Sequence, residues 1–442
     1  MAASETMPHD DHIVLDETDL RIVLLGRRKS EKSSSGNSIL GREEFDLKRR
    51  TAECVKRQGE VAGRQLTIVE APGWWWNDLT ETPKLTTKEI ELSVSLCPPG
   101  PHALLLAIRV NRSFTQNDRR GVQEHLELLG ERVWRHTILL FTCGDQLGDT
   151  IEQHIESEGK SLQWLVEKCG NRYHVFNNKR RDDHMQVTQL MEKIEEMVAA
   201  NRGQCFEMER RRIEEMGEKR MGGDERARER MMKVMRERES LRSQMGASYH
   251  LPELRIVLLG LKEFGKSSSG NTILGKEEFG TAETIAQCVK RQGEVLGRHV
   301  TVVDAPGWWR VQKDATVNII KEWIELSVSL CPPGPHALLL AIRVDRSFPQ
   351  IRIISAQKHL ELLSERVWSH TIALFTRGDR LGDTPIEQHI ESEGQSLQCL
   401  VEKCGHRYHV LNNKRRDDHM QVKELIEKIE EMVAANRGQC YE

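Results

Sequence analysis

Short apolar runs alternate along the chain with longer amphipathic stretches, and the whole alternation occurs twice. In the first half, strand-length apolar runs lie at 21–25, 65–70, 103–110, 137–142 and 173–176. Helical spacing of apolar positions marks 118–129, 151–169 and 183–200 between them. Strand and helix signals in alternation predict an α/β fold, a mostly parallel sheet covered by helices on both faces. In such sheets, loops that bind phosphate sit at the carboxyl ends of the strands.

The second half repeats the first nearly word for word. LRIVLLG ends at Gly26 and again at Gly260, CVKRQGEV starts at Cys54 and Cys288, and SLCPPGPHALLLAIRV starts at Ser95 and Ser329. Each pair is 234 residues apart, and the spacing grows by one where Pro385 is added after Thr384. A period this long makes each copy a whole domain, so the chain is a tandem duplication. We expect a polar, acidic and disordered tail at 1–18, one domain at 19–205, a charged helical linker at 206–250 and a second domain at 251–442. The linker is rich in Glu, Arg and Met, with Gly222 and Gly223 near its middle. It reads either as a solvated spacer or as a coiled-coil surface for a partner helix.

Composition narrows the partners. The chain has 442 residues, 38% hydrophobic and 30% charged, with a net charge of −3. That balance gives no global attraction for nucleic acid or an anionic bilayer, so any basic surface must be local; no nucleic acid is expected as a partner, while peripheral membrane association stays open. The sequence contains no apolar run long enough to predict a transmembrane segment. Ten cysteines without C-x-x-C spacing are expected to be reduced, structural thiols of a cytoplasmic protein.

The chemistry begins where the first strand of copy 2 ends. The stretch Gly260, Leu261, Lys262, Glu263, Phe264, Gly265, Lys266, Ser267, Ser268 is G-x-x-x-x-G-K-S between a strand and a helix, the context that identifies a phosphate-binding loop. Its glycines let backbone N–H groups close on phosphate, Lys266 reaches the β/γ-phosphates, and the Ser267 hydroxyl is placed for Mg²⁺. Strand 300–303 then ends in Asp304-Ala305-Pro306-Gly307, where the carboxylate suits Mg²⁺ and the Gly307 N–H a γ-phosphate. Strand 371–375 ends in Thr376-Arg377-Gly378-Asp379. A carboxylate there can accept both the N1–H and the 2-amino group of guanine, a donor pair that adenine lacks. Asn412 and Asn413, one strand later, offer amides for the rest of the base edge or simple turn chemistry.

Taken together, GLKEFGKSSSGNTILG, CVKRQGEVLGR, VVDAPGWW, SLCPPGPHALLLAIRV, FTRGD and RYHVLNNK resemble the AIG-type G domains of the immunity-associated (IMAP) GTPases. These are related to septins and to chloroplast-import receptor GTPases. The resemblance covers both copies. It implies a Ras-like P-loop GTPase fold that binds GTP or GDP with Mg²⁺, hydrolyses GTP slowly or not at all, and forms homo- or hetero-oligomers through the G domains. It also implies work in immune cells, in the cytoplasm and peripherally on intracellular membranes. By position, Ser267 and Asp304 would be the metal groups and Asp379 and Asn413 the base readers.

Both copies depart from the pattern. Copy 1 keeps Gly26, Lys32, Ser33, Thr51, Gly73, Asp145 and Asn178, but Glu31 replaces the second loop glycine and Glu70 the metal-site aspartate. A Cβ and a negative charge beside the phosphates should leave copy 1 weak or empty, a structural partner for copy 2. Copy 2 in turn has Ile285 where copy 1 has Thr51, the threonine that in this family closes over Mg²⁺, with Thr284 one residue away. No glutamine follows Gly307 to orient water; Trp308, Trp309 and Arg310 stand there instead. Arg346, matched by Arg112 in copy 1, is the candidate catalytic group for a GTPase activated by dimerisation, or else a solvated loop arginine. Trp74–Trp76 and Trp308–Trp309 read either as core or as an exposed anchor.

Overall fold

The computed structural model describes residues 19–48, 51–61, 63–74, 79–80, 82–180, 183–245, 250–280, 287–308 and 315–442. The tail at 1–18, Trp75, Trp76, Thr284, Ile285, Trp309 and Arg310 lie outside the described residues.

Copy 1 contains strands β1 (Asp19–Gly26), β2 (Val55–Val61), β3 (Arg64–Glu70), β4 (Ala103–Arg109), β5 (Thr137–Thr142) and β6 (Tyr173–Val175). Its helices are α1 (Lys32–Leu40), α2 (Lys84–Ser95), α3 (Gln116–Glu127), α4 (Ile151–Glu158), α5 (Lys160–Lys168) and α6 (His184–Ala200). A long helix, α7 (Arg210–Met245), leads to copy 2. There the strands are β7 (Glu253–Gly260), β8 (Val289–Val295), β9 (Arg298–Asp304), β10 (Ala337–Arg343), β11 (Thr371–Thr376) and β12 (Tyr408–Leu411). The helices are α8 (Lys266–Leu274), α9 (Ala315–Ser329), α10 (Gln350–Leu360), α11 (Ile386–Glu393), α12 (Gln395–Lys403) and α13 (His419–Ala435).

Each copy builds one six-stranded sheet, ordered β2-β3-β1-β4-β5-β6 in copy 1 and with the same order of equivalents in copy 2. Every pairing is parallel except the edge pair, β2 with β3 and β8 with β9. The central strand is buried on both faces, as its unbroken apolar run requires. Val23 and Leu25 pack with Ile90, Val122 and Leu165 of α2, α3 and α5, while Ile22 and Leu24 pack with Ile39, Leu190 and Ile194 of α1 and α6. This is the α/β P-loop fold that the apolar pattern predicts. Two details differ from the sequence reading. The edge strands β2 and β8 lack a predicted counterpart because their exposed, charge-bearing alternation hides the strand signal. The stretch 151–169 is two helices, broken at Gly159 with φ 79°.

The segment after α2 acts as a dock for the domain's own end. Arg21 Nε donates to Gly100 O at 2.9 Å, Arg21 N donates to His102 Nδ1 at 3.0 Å, and Phe206 N donates to Pro101 O at 2.8 Å. Copy 2 repeats this with Arg255, Gly334, His336 and Tyr441. The family-specific run SLCPPGPH thus fastens the chain end against the start of the central strand.

Helix α7 runs unbroken through Gly222 and Gly223. It is charged, as expected, but docked rather than free over its second half. Arg230 meets the buried Glu391 at 2.8 Å, and Glu431 takes Arg238 at 2.8 Å and Arg242 at 2.6 Å. The copies also touch directly. Glu53 Oε1 accepts from Thr384 Oγ1 at 2.8 Å, Lys84 N donates to Glu393 Oε1 at 2.9 Å, and Arg28 lies 3.5 Å from Asp345. Copy 1 therefore turns its phosphate-loop side, α2 included, toward α11 and the loop after β10.

Two outcomes follow from this packing. A Cβ on Gly100 would collide with the Phe206 carbonyl, so Gly100→Ala should destabilise copy 1 by about 1–3 kcal/mol. Calorimetry of the full chain should show one lowered transition, and an unchanged thermogram would contradict the docking role. Burial, with Arg21 or Arg255 beside them, pulls His102 and His336 from 6.5 to about 4. Both are neutral when folded, so the unfolded chain binds more protons below pH 6.5 and stability should fall as pH drops from about 6.5 to 4. Urea melts across that window check it; His102→Gln with His336→Gln should flatten part of the slope.

Candidate functional site

In copy 2, β7 delivers the chain to Gly260, whose φ of 140° and close approach to Ala341 O (2.9 Å for an added Cβ) both require glycine. The loop returns to helix at Gly265, a left-handed N-cap with φ 84°. Thr376, at the end of β11, braces the loop by donating from Oγ1 to Phe264 O at 2.8 Å. Lys266 folds back over the loop, with Nζ donating to Leu261 O at 3.2 Å. Burial pulls its ammonium below the ordinary value, against the pull of Asp304. Gly307 leaves room for it: a Cβ there would stand 2.8 Å from Lys266 Nζ and 2.7 Å from Lys262 N.

Ser267 and Asp304 meet, as their motifs imply. Ser267 Oγ donates to Asp304 Oδ2 at 2.6 Å, and Asp304 Oδ1 is buried with no hydrogen-bond partner. Burial raises the Asp304 carboxyl above its usual range, with Lys266 and Ser267 opposing. An oxygen so placed, beside a serine hydroxyl at a helix start, fits a hard cation.

At the far end of the trough, Gly378 lets the turn after β11 approach Val410, and the turn presents Asp379. Lys414 Nζ lies 2.8 Å from Asp379 Oδ2 and Arg380 Nε 3.0 Å from it, while Oδ1 is buried without a hydrogen-bond partner. Asn413 faces α8, donating to Ser269 Oγ at 3.1 Å and accepting from Thr272 Oγ1 at 2.9 Å. Asn412 spends its side chain on the turn, accepting from Lys414 N at 3.1 Å. Arg377 is exposed and lines a cavity shared with copy 1. Arg346 is half-buried, on the loop whose Asp345 meets Arg28 of copy 1.

Copy 1 uses the same frame with different contents. Glu31 takes the left-handed position, φ 65°, that Gly265 holds in copy 2. Its carboxylate extends along the trough: Oε1 accepts from Cys143 Sγ at 3.1 Å and Oε2 from Asn178 Nδ2 at 2.9 Å. Burial and Glu31 together push the Cys143 thiol up to about 11. Lys32 Nζ donates to Arg27 O at 3.1 Å, close to Gly73, and Ser33 Oγ donates to Glu70 Oε1 at 2.8 Å. The Thr51 hydroxyl also bonds to Glu70, whose carboxyl burial pushes upward. Asp145 pairs with Lys179 at 2.5 Å. Cys143 is the residue that motif reading misses. Its signal lies in comparing the copies: where the loop position changes from glycine to glutamate, the facing Arg377 position changes to cysteine.

Trp74 and Trp308 are 1% exposed and stack on His125 and His359 at 4.8 Å, so these two are core.

The family model of the AIG1 family matches residues 20–223 and 254–442. Human "GTPase IMAP family member 8" is 28% identical over 439 residues, which are 95% of this chain and 63% of that protein. The mouse protein of the same name is 28% identical, covering 94% and 60%. Arabidopsis thaliana "Immune-associated nucleotide-binding protein 9" is 32% identical over 197 residues, 42% of this chain and 57% of its own. The chain thus spans about three fifths of the length of the relatives that cover nearly all of it. Among solved structures, Toc33 from Arabidopsis thaliana in complex with GDP and Mg²⁺ aligns with a TM-score of 0.34 at 14% identity, over 49% of this chain and 97% of that one. The G domain of the T. maritima FeoB iron transporter aligns with a TM-score of 0.28 at 14% identity, over 41% and 99%. With both copies matched by one family model across most of their length, the chain belongs to the AIG1 family.

Proposed function

We propose that this chain is a guanine-nucleotide-binding switch or assembly protein whose two G domains, 19–205 and 251–442, are unequal, with nucleotide held by the second. The observation that carries this reading is the fate of one loop position. In copy 2 Gly265 has no side chain, and the carboxylates of Asp304 and Asp379 each keep a buried oxygen without a hydrogen-bond partner. In copy 1 the Glu31 carboxylate occupies Asn178, its proposed base reader, and sets a negative charge in the phosphate path.

In copy 2 the loop from Gly260 to Ser268 would receive the phosphates, Lys266 their charge, and Asp379 the guanine edge. Ser267 and Asp304 would hold Mg²⁺, which when bound neutralises phosphate charge. Thr376 supports the loop from beneath. The reading of slow or absent hydrolysis draws on the same residues. No water-orienting side chain is evident among the described residues after Gly307, since Trp308 is buried against His359. The loop bearing Arg346 is engaged in the contact between the copies through Asp345 and Arg28. Both features favour a binding switch over a GTPase activated by a trans arginine from this loop.

Titration of fluorescent GDP with Mg²⁺ into full-length variants tests the inequality. Lys266→Ala should weaken binding by about tenfold to a hundredfold, the range for losing a charge-assisted hydrogen bond, whereas Lys32→Ala should leave it unchanged. Glu31→Gly should add a second site, because it removes the plug and relieves a left-handed non-glycine residue. A Glu31→Gly chain that still binds a single equivalent would show that the plug does not limit copy 1.

A further inference from the structure

The first copy carries a cavity that the trough does not use. It lies on the other side of residues 27–30 from Glu31, at the boundary with copy 2, and encloses about 330 Å³. That volume is at the lower end of small-molecule sites. Copy 1 contributes Arg27, Arg28, Lys29, Arg109 and Arg112 to its wall. Copy 2 contributes Arg343, Arg377 and Arg380. Asp118 pairs with Arg27, Asp345 with Arg343 at 2.8 Å and Arg28 at 3.5 Å, and Asp379 with Arg380 at 3.0 Å. Eight cations thus line the cavity beside one carboxylate, Asp345. Burial and then Arg112 lower Arg27 to about 10.

The cavity exists because two residues differ between the copies. Leu261 and Phe264 stand in copy 2 where copy 1 has Arg27 and Ser30, and both are buried, at 4% and 3% exposure. The Phe264 ring packs against Phe348 at 6.5 Å and beneath the Arg352 guanidinium at 5.8 Å, filling that space. Ser30 is too small to do so. Ser30 lines the cavity at 5% exposure, and its hydroxyl is buried with no hydrogen-bond partner. The rest of the floor is apolar, with Trp74, Leu106 and Phe114.

From this geometry we infer that the cavity between the copies binds a small molecule carrying two or more phosphate groups, which bridges copy 1 and copy 2. Guanidinium forks from both domains match phosphate oxygens in pairs. The apolar floor accepts a ring or carbon frame. The ligand would staple the two domains across the Arg28–Asp345 contact.

Isothermal titration of sodium tripolyphosphate into the full-length chain tests this, with the chain pre-saturated with GDP and free Mg²⁺ then removed so that it does not chelate the probe. One equivalent should bind, more weakly as salt rises, with sodium sulfate at equal ionic strength giving at least tenfold weaker binding. Arg27→Leu with Ser30→Phe installs the filling that copy 2 already tolerates and should abolish binding. Arg109→Ala with Arg112→Ala removes two wall cations and should weaken binding about tenfold or more, which keeps the test decisive if the filled variant misfolds. Lys266→Ala should weaken GDP binding yet keep tripolyphosphate, separating this site from the nucleotide site. No heat in the wild-type chain, equal affinity for sulfate, unchanged binding in the folded variants, or loss with Lys266→Ala would each overturn the inference.

Discussion

One backbone position governs how the two halves differ. The residue before the loop lysine must adopt left-handed angles in both copies, φ 84° at Gly265 and 65° at Glu31, because the loop has to turn into a helix beside the end of the fifth strand. Glycine does this without a side chain and leaves the trough free. Glutamate does it with backbone strain, offset by two hydrogen bonds of its carboxylate to Cys143 and Asn178. One of those bonds engages Asn178, the proposed base reader of copy 1. The same fold thus carries a glycine at this position in one copy and an internally hydrogen-bonded glutamate in the other.

The arrangement of the copies follows the same division. Copy 1 presses its phosphate-loop side against copy 2, through Arg28 to Asp345, Glu53 to Thr384 and the start of α2 to Glu393. A domain whose loop must open and close around nucleotide is poorly suited to such a contact. The loop of copy 1 differs from that of copy 2 at this contact, where Arg27, Arg28 and Ser30 stand in place of Leu261, Lys262 and Phe264. Helix α7 reinforces the pairing by lying along copy 2, its arginines on Glu391 and Glu431.

Much of this was legible in the residues. The duplication, the parallel order of apolar strands and the meeting of Ser267 with Asp304 all follow from motif spacing, because each depends on local backbone geometry. What escaped depends on side chains crossing between elements. The edge strands β2 and β8 carry charges on an exposed alternation, so no apolar run announces them. Glu31 was legible as a defect, but its destination at Asn178, far along the chain, was not. The exchange of Phe264 for Ser30 reads as a loop substitution until the ring's place among Phe348 and Arg352 is seen. A charged helix with two adjacent glycines likewise looks solvated until its arginines find buried carboxylates on another domain.

The central claim is that one trough holds nucleotide and the other is closed by Glu31. The most direct measurement is to purify the full-length chain under native conditions, denature it, and quantify the released guanine nucleotide by chromatography and mass spectrometry. The account predicts close to one GDP or GTP per chain; two per chain, or none with Mg²⁺ and nucleotide supplied throughout, would contradict it.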